Sequence, residues 1–452
     1  AITFQANYQL SESSSLTYIY GYRDTKEQAI WPYSGSACDF ITIDNLNEND
    51  QESHEFRWNK SGENFDLVLG LFQMENSYSQ DWFTYDFWEI VRTPELLVSL
   101  YGATPEQLSR LGNDFGQNIF QSQDATARAA FGQLDYQLTE QLEVTFGLRY
   151  TKDEKDFFAR QFCIKADADR HLQNWDTCVH AAQQEQKSGN WDLSESKTTG
   201  RLGFGYQLDD DILLYGSYST GFHSGGFYGK NQRLVDYGVT YRPEEIVSYE
   251  VGAKMDLYER RLRLNVAAFH STVEDLQAVT TLPSLDGTAI SVPFNVGEVE
   301  YQGLELEATA LLTDELTISA SAGYLDASYN SFDADLSSGF AGVPVDNSYL
   351  TPKQAPEYTF GISADYTIEM AGGYLSTNAN YSWTDDFFTQ EDNDPVSLVE
   401  SYGKANLTLS FAKGNYKIAG FVNNIGDETN YVSRTTSTLI TYGQESKGRT
   451  YG

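Results

Sequence analysis

Cys163 and Cys178 stand with fourteen residues between them, and His171 and His180 lie in the same stretch. Two chemistries suit such a group. Thiolates and imidazoles hold zinc, but the spacing C-x7-H-x6-C-x-H matches no common structural zinc pattern. Paired thiols in an oxidising compartment form a disulfide instead. Closing a loop of about 15 residues contributes roughly 3 kcal/mol in the chain-entropy view. A Cys163–Cys178 disulfide is therefore expected, and Cys38 is left over, either free or paired with a missing segment.

His223-Ser224-Gly225-Gly226 sets a hydroxyl beside an imidazole. Neighbours on an extended segment point to opposite sides, so the pair makes a poor catalytic dyad. The five His, at 54, 171, 180, 223 and 270, are scattered, and no triad is apparent. No enzyme is expected. The acidic runs Asp44-Asn45-Leu46-Asn47-Glu48-Asn49-Asp50 and Glu391-Asp392-Asn393-Asp394 offer oxygens to Ca²⁺, but the first lacks the glycine and fixed spacing of an EF-hand. Both read as solvated loops.

Aromatic residues Trp31, Tyr33, Trp82, Phe83, Tyr85, Phe87, Trp88, Phe227 and Tyr228 fall between the periodic segments. Rings on loop tips form a ligand vestibule or pack the loops on each other. Lys230, Arg233, Arg242 and Arg434 could meet an anionic cargo or pair with carboxylates.

The elements that position these groups show period-two alternation. Leu304, Leu306, Ala308 and Ala310 alternate with Glu305, Glu307 and Thr309; after Thr313-Asp314-Glu315 the pattern resumes through Leu316, Ile318 and Ala320. This is a strand with one apolar and one polar face. Its arms outrun the five or six residues usual in soluble sheets. Similar hairpins are predicted at 2–10 with 16–23, 52–59 with 65–74, 124–138 with 141–157, and 196–208 with 211–222. Others follow at 244–257 with 260–275, 295–311 with 315–330, 355–369 with 373–388, and 400–412 with 415–425. Residues 448–452 begin another strand. The turns are short (Thr139-Glu140, Tyr258-Glu259-Arg260, Ala371-Gly372). The alternate connections are long: 24–51, 75–123, 158–195, 223–243, 276–294, 331–354, 389–399 and 426–447. Within 75–123, TPELLVSLYG and TPEQLSRLG carry helix start and stop signals. Short turns at one end and long loops at the other are the pattern of a membrane-spanning barrel. The expected fold is all-β, a transmembrane antiparallel β-barrel showing about 16–17 strands. Leu142, Val144, Phe146, Leu148 and Tyr150 should face lipid, with Glu143, Thr145 and Arg149 on the opposite side.

Composition agrees. The chain has 452 residues and a formal charge of −35, which argues against nucleic acid as partner. Aromatics make up 14%, more than disordered chains carry. No apolar run reaches the 18 residues of a spanning helix. The first residues, AITFQANYQL, show neither a basic start nor a cleavage site, so the signal peptide of an exported protein would lie outside this sequence.

LTYIYGYRD (16–24), FDLVLGLFQ (65–73), VTFGLRYTKDEK (144–155), LLYGSYSTGFHSGGF (213–227), NVGEVEYQGLELEA (295–308) and GFVNNIGDETNY (420–431) resemble, in order, the TonB-dependent outer-membrane receptors, particularly the ferric-siderophore type. The resemblance implies a twenty-two-strand barrel around an N-terminal plug. It makes 1–452 the C-terminal part of that barrel, with the plug and TonB-contact segment upstream of this sequence. It implies a Gram-negative outer-membrane location, lipid and the TonB complex as partners, and a small-molecule iron chelate as transported ligand rather than cofactor. The expected ligand-binding residues are Trp31, Tyr33, Trp82, Tyr85, Trp88, Phe227, Tyr228, Lys230 and Arg233. Haem, cobalamin or a glycan would be other cargoes of the same family. A passive porin and an outer-membrane enzyme are the readings outside it.

Overall fold

The computed structural model describes residues 1–32, 42–85, 115–165, 188–229, 238–283, 289–336, 343–436 and 441–452. The dominant element is an 18-stranded sheet. All its strands but the two-residue Val345–Asp346 form one antiparallel meander, each strand pairing with the next. Six strands open it: β1 (Ile2–Ser11), β2 (Ser14–Pro32), β3 (Thr42–Ser61), β4 (Phe65–Tyr85), β5 (Phe115–Gln137) and β6 (Leu142–Lys165). Then come β7 (Ser188–Asp209), β8 (Ile212–His223), β9 (Glu244–Leu257), β10 (Leu262–Glu274), β11 (Gly297–Leu311) and β12 (Leu316–Ala334). The last are β13 (Tyr358–Met370), β14 (Gly373–Thr384), β15 (Tyr402–Lys413), β16 (Tyr416–Asn423) and β17 (Thr450–Tyr451). Among the described residues no ladder joins β1 to β17.

Register carries one apolar face across the sheet. Residues directly opposite in an antiparallel pair share a face. Leu16 opposes Trp58, Trp58 opposes Leu69, and Leu69 opposes Gly132. Farther on, Leu148 opposes Gly132 and Gly200, and Val251, Ala268, Leu304, Tyr324 and Tyr358 follow in one row. These side chains lie open: Leu71 is 62% exposed, Leu148 63% and Val251 56%. Leaving a large apolar side chain in water costs about 1.5–3 kcal/mol, so a continuous band of them needs lipid around it. The other face is hydrogen-bonded and polar. Asn378 Nδ2 donates to Asp365 Oδ1 at 2.7 Å, Asn380 donates to Asn378 at 3.0 Å, and Asn406 donates to Asn380 at 2.7 Å. Such an amide chain crosses β13–β15 on the lumen side. The predicted parity thus holds, with Arg149 on the lumen face over the rings of Phe72 and Phe131 at 5.3 and 5.5 Å.

The periplasmic turns are tight. At Tyr258, Glu259 and Arg260 three successive residues are left-handed (φ 52°, 56° and 63°). Each such non-glycine costs on the order of 1–2 kcal/mol, and an ion pair from Arg260 to Asp211 at 3.0 Å fixes the turn against its neighbour.

At the extracellular end the structure corrects the sequence-based boundaries. The strands run on where long loops were expected. The acidic run at 44–50 lies inside β3, paired on both sides, and is not a solvated loop. Likewise 75–85 and 115–123 belong to β4 and β5. Cys163 sits on β6, its backbone opposite Gln117, rather than in a loop. Cys178, Cys38, His171, His180 and the helices expected at 93–102 and 104–112 lie outside the described residues, as does the pairing of Cys163. Other connections carry small hairpins: Gln277–Pro283 with Ala289–Asn295, and Tyr431–Thr436 with Thr441–Glu445. Glu391–Asp394 forms a turn with its own contacts. Lys353 pairs with Glu391, and Asp394 Oδ1 accepts the Val396 amide at 2.7 Å. Among the described residues no three His, Cys, Asp or Glu side chains converge for a metal.

Candidate functional site

The extended strands β2–β7 raise a wall above the apolar band, and its lumen face gathers the candidate residues. Trp31 and Trp82 meet edge to face, ring centres 5.9 Å apart at 84°. Ile43 and Asn45, both buried, fill β3 between them. Trp82 opposes Ile119 on β5, and Ile119 packs against Phe157 and Ala159 of β6. One aromatic and amide surface therefore runs from β2 to β7.

A strap crosses this surface after β8. Gly226–Phe227 pairs with Thr240–Tyr241 in a two-rung hairpin. The Phe227 ring stacks on Phe157 (5.2 Å, 10°), and Trp191 also lies against Phe157 at 6.0 Å. Lys155 Nζ donates to Ser224 Oγ at 2.9 Å and to the Gly225 carbonyl. The Gly225 amide in turn donates to Glu195 Oε2 at 3.0 Å. Only glycine fits there, because a Cβ on Gly225 would stand 2.3 Å from the Tyr241 carbonyl and 2.7 Å from Glu195 Oε1. Burial pushes the Lys155 ammonium below the ordinary lysine range, although Asp153 and Glu195 oppose the shift. Burial also raises the Asp153 carboxyl. These groups clamp the strap.

Burial, and then the charge of Glu195, raise the Tyr241 phenol above its usual value. The sign follows directly. A closed strap holds the phenolic proton to higher pH than an open one, whose tyrosine ionises near 10. The stabilisation is complete below that value and is lost as pH rises through the raised one. Tyrosinate absorbance should therefore contain a late-titrating step that Tyr241→Phe removes. An unchanged titration in that variant would break the assignment.

Three of the predicted binding residues are thus placed on this surface, Trp31, Trp82 and Phe227, and Tyr228 follows Phe227 in the chain. Phe227 is a packing ring, and burial raises the Tyr228 phenol. Tyr85 ends β4, while Tyr33, Trp88, Lys230 and Arg233 lie outside the described residues. Arg242 pairs with Asp275 at 2.5 Å, and Arg434 lies over the Tyr431 ring at 4.4 Å. His223 faces Glu244 at 3.4 Å while Ser224 serves Lys155, so the neighbours form no dyad. Gln80, Gln121, Phe157, Trp191 and Lys155 were not singled out from sequence, and Asn45 was weighed there only as part of a Ca²⁺-type acidic run. The amides at 45, 47, 49 and 51, alternating with acids at 44, 48, 50 and 52, were the readable signal.

Residues 1–425 match the family described as "TonB dependent receptor-like, beta-barrel". The ferrichrome outer membrane transporter/phage receptor of Escherichia coli K12 is 27% identical over 269 residues, 57% of this chain and 31% of that protein. The vitamin B12 transporter BtuB of Photobacterium profundum is 23% identical over 308 residues, 67% of this chain and 46% of that protein. The ferric yersiniabactin uptake receptor FyuA of Yersinia pestis superposes with a TM-score of 0.74 at 16% identity, covering 99% of this chain and 59% of that one. The curated matches thus take in less than half of each relative's length. With the family match spanning most of the sequence, the chain belongs to the TonB-dependent receptors, β-barrel proteins of the Gram-negative outer membrane.

Proposed function

We propose that this chain is the C-terminal barrel wall of a receptor that takes up a ferric-siderophore complex, with energy supplied through TonB. The observation that carries this is the lumen-side surface from Trp31 to Trp191, held above the apolar band and closed on one flank by the Gly226–Phe227 strap. Flat rings and neutral amides suit a rigid organic chelate. The iron arrives already coordinated, so the wall binds the chelator's periphery and no residue need ligate the metal. An upstream plug domain would block the lumen and carry the TonB contact, and cargo seated on wall and plug would signal inward. No bond in the cargo changes.

The test is a titration of the complete purified receptor with iron-loaded and iron-free chelators, followed by tryptophan fluorescence. Haem and cyanocobalamin serve as controls. Saturable binding of one ferric chelate, with weaker binding of its iron-free form, is expected. Binding of haem or cobalamin alone would replace the cargo. Trp31→Phe and Trp82→Phe should each remove part of the fluorescence change.

A further inference from the structure

Charge on the raised wall is sorted by face. The lumen-facing positions at 43–53 of β3, 74–82 of β4 and 119–127 of β5 are Asn, Gln, Ser, Tyr, Met, Ala, Ile and Trp. None is Asp, Glu, Lys or Arg. The opposite face of the same stretches carries Asp44, Glu48, Asp50, Glu52, Asp81 and Asp124. In a chain of charge −35 such a neutral strip calls for a reason. The neighbouring strand β2 adds only Arg23 and Glu27 to this face, of opposite sign.

The strip is built from linked amides. Gln121 Nε2 donates to Gln80 Oε1 at 2.5 Å, and Gln80 Nε2 donates to Asn47 Oδ1 at 3.1 Å. The Tyr78 hydroxyl donates to the same Asn47 oxygen at 3.1 Å. Two oxygens are left over. Asn45 Oδ1 and Gln121 Oε1 are buried, on residues 7% and 8% exposed, with no hydrogen-bond partner among the described residues. A buried amide oxygen without a partner is destabilising, and a ligand donor would relieve it. Whichever way each amide turns, the group on offer is neutral.

We infer that this strip selects an electrically neutral cargo with hydroxyl, amide or hydroxamate groups on its surface. The inference rests on the proposed receptor reading and narrows it: the ferric chelate is an uncharged tris-hydroxamate type rather than a triply negative tris-catecholate. A polyanion pressed on neutral amides would shed its hydration without finding a counter-charge. Among the described residues, Lys155 is engaged with the strap, Lys197 with Glu245 and Arg242 with Asp275, and Arg23 shares its face with Glu27. The chain's net negative charge adds repulsion at longer range. A neutral chelate meets neither penalty.

The experiment compares a ferric tris-hydroxamate with a ferric tris-catecholate on the plug-complete receptor, with cyanocobalamin as a neutral probe of different chemistry. The neutral ferric chelate should bind at least tenfold more tightly, about 1.4 kcal/mol. Asn45→Asp and Gln121→Glu should each weaken it about tenfold, while Gln80→Lys moves the preference toward the catecholate. Asn45→Ser, which adds no charge, should keep the preference, and heat-modifiable migration shows that each variant is folded. Tighter catecholate binding by the unaltered receptor overturns the inference and leaves the siderophore reading standing. Binding of cyanocobalamin alone, weakened by Asn45→Asp, upholds the neutral strip and ends the siderophore reading. Binding of haem alone ends both.

Discussion

Gly225→Val should detach the strap and lower cargo affinity about a hundredfold, roughly 2.7 kcal/mol. The side chain would need space occupied by the Tyr241 carbonyl and the Glu195 carboxylate. Neither can retreat cheaply. The carbonyl belongs to the hairpin partner of Gly226, and the carboxylate accepts the Gly225 amide. With the strap displaced, Phe227 leaves Phe157, and Lys155 loses both acceptors in a buried setting. Ser224→Ala is the graded control, because it removes one acceptor and leaves the backbone bond from Lys155 in place. It should cost about 1 kcal/mol. Limited proteolysis within the strap, run beside the ligand titration, separates release of the strap from loss of the barrel. If the valine variant resists protease and binds normally, the clamp has no bearing on binding.

Leu148→Arg should destabilise the inserted barrel by about 2–4 kcal/mol, the range for a cation on the lipid face near mid-bilayer. Thr145→Arg, on the opposite parity of the same strand, should cost under about 1 kcal/mol. Thr145 faces the lumen and its hydroxyl donates to Asp135 Oδ1 at 2.6 Å, so the new cation gains a carboxylate neighbour. Urea unfolding in lipid vesicles measures both. Equal losses at the two positions would contradict the face assignment for β6.

The hairpin at 295–330 shows what sequence could reveal. Its arms were placed at 295–311 and 315–330, and the strands are Gly297–Leu311 and Leu316–Ala334. Inside the membrane the two faces meet different solvents, which forces alternation of Leu304 and Leu306 with Glu305 and Glu307. Above the membrane both faces meet polar surroundings and that contrast fades. Residues 44–52 therefore looked like an acidic loop, although they form paired strand. The aromatic half of the site was legible through Trp31, Trp82 and Phe227. Its polar half was not, because Gln80 and Gln121 are unremarkable until register sets them face to face. Lys155 and Ser224, 69 positions apart, could not be joined without the strap.

The unequal height of the strands has a consequence for capture. β6 holds 24 residues; at about 3.3 Å each and a tilt near 40° it climbs roughly 60 Å, more than twice the ~25 Å apolar band. β8 to β11 hold only 12 to 15 residues and stop soon after leaving the bilayer. The continuous sheet is thus a parapet on one flank and a lower sill on the other, topped between β10 and β11 by the separate hairpin of Gln277–Pro283 with Ala289–Asn295. A solute drifting in over the sill strikes the tall flank well before it reaches the lumen mouth. Even fleeting adhesion there turns a search through open volume into a short descent along a surface. It also lifts first contact above the lipid headgroups and into the surrounding envelope sugars. Shortening β3 and β4 together should then slow association more than it speeds release.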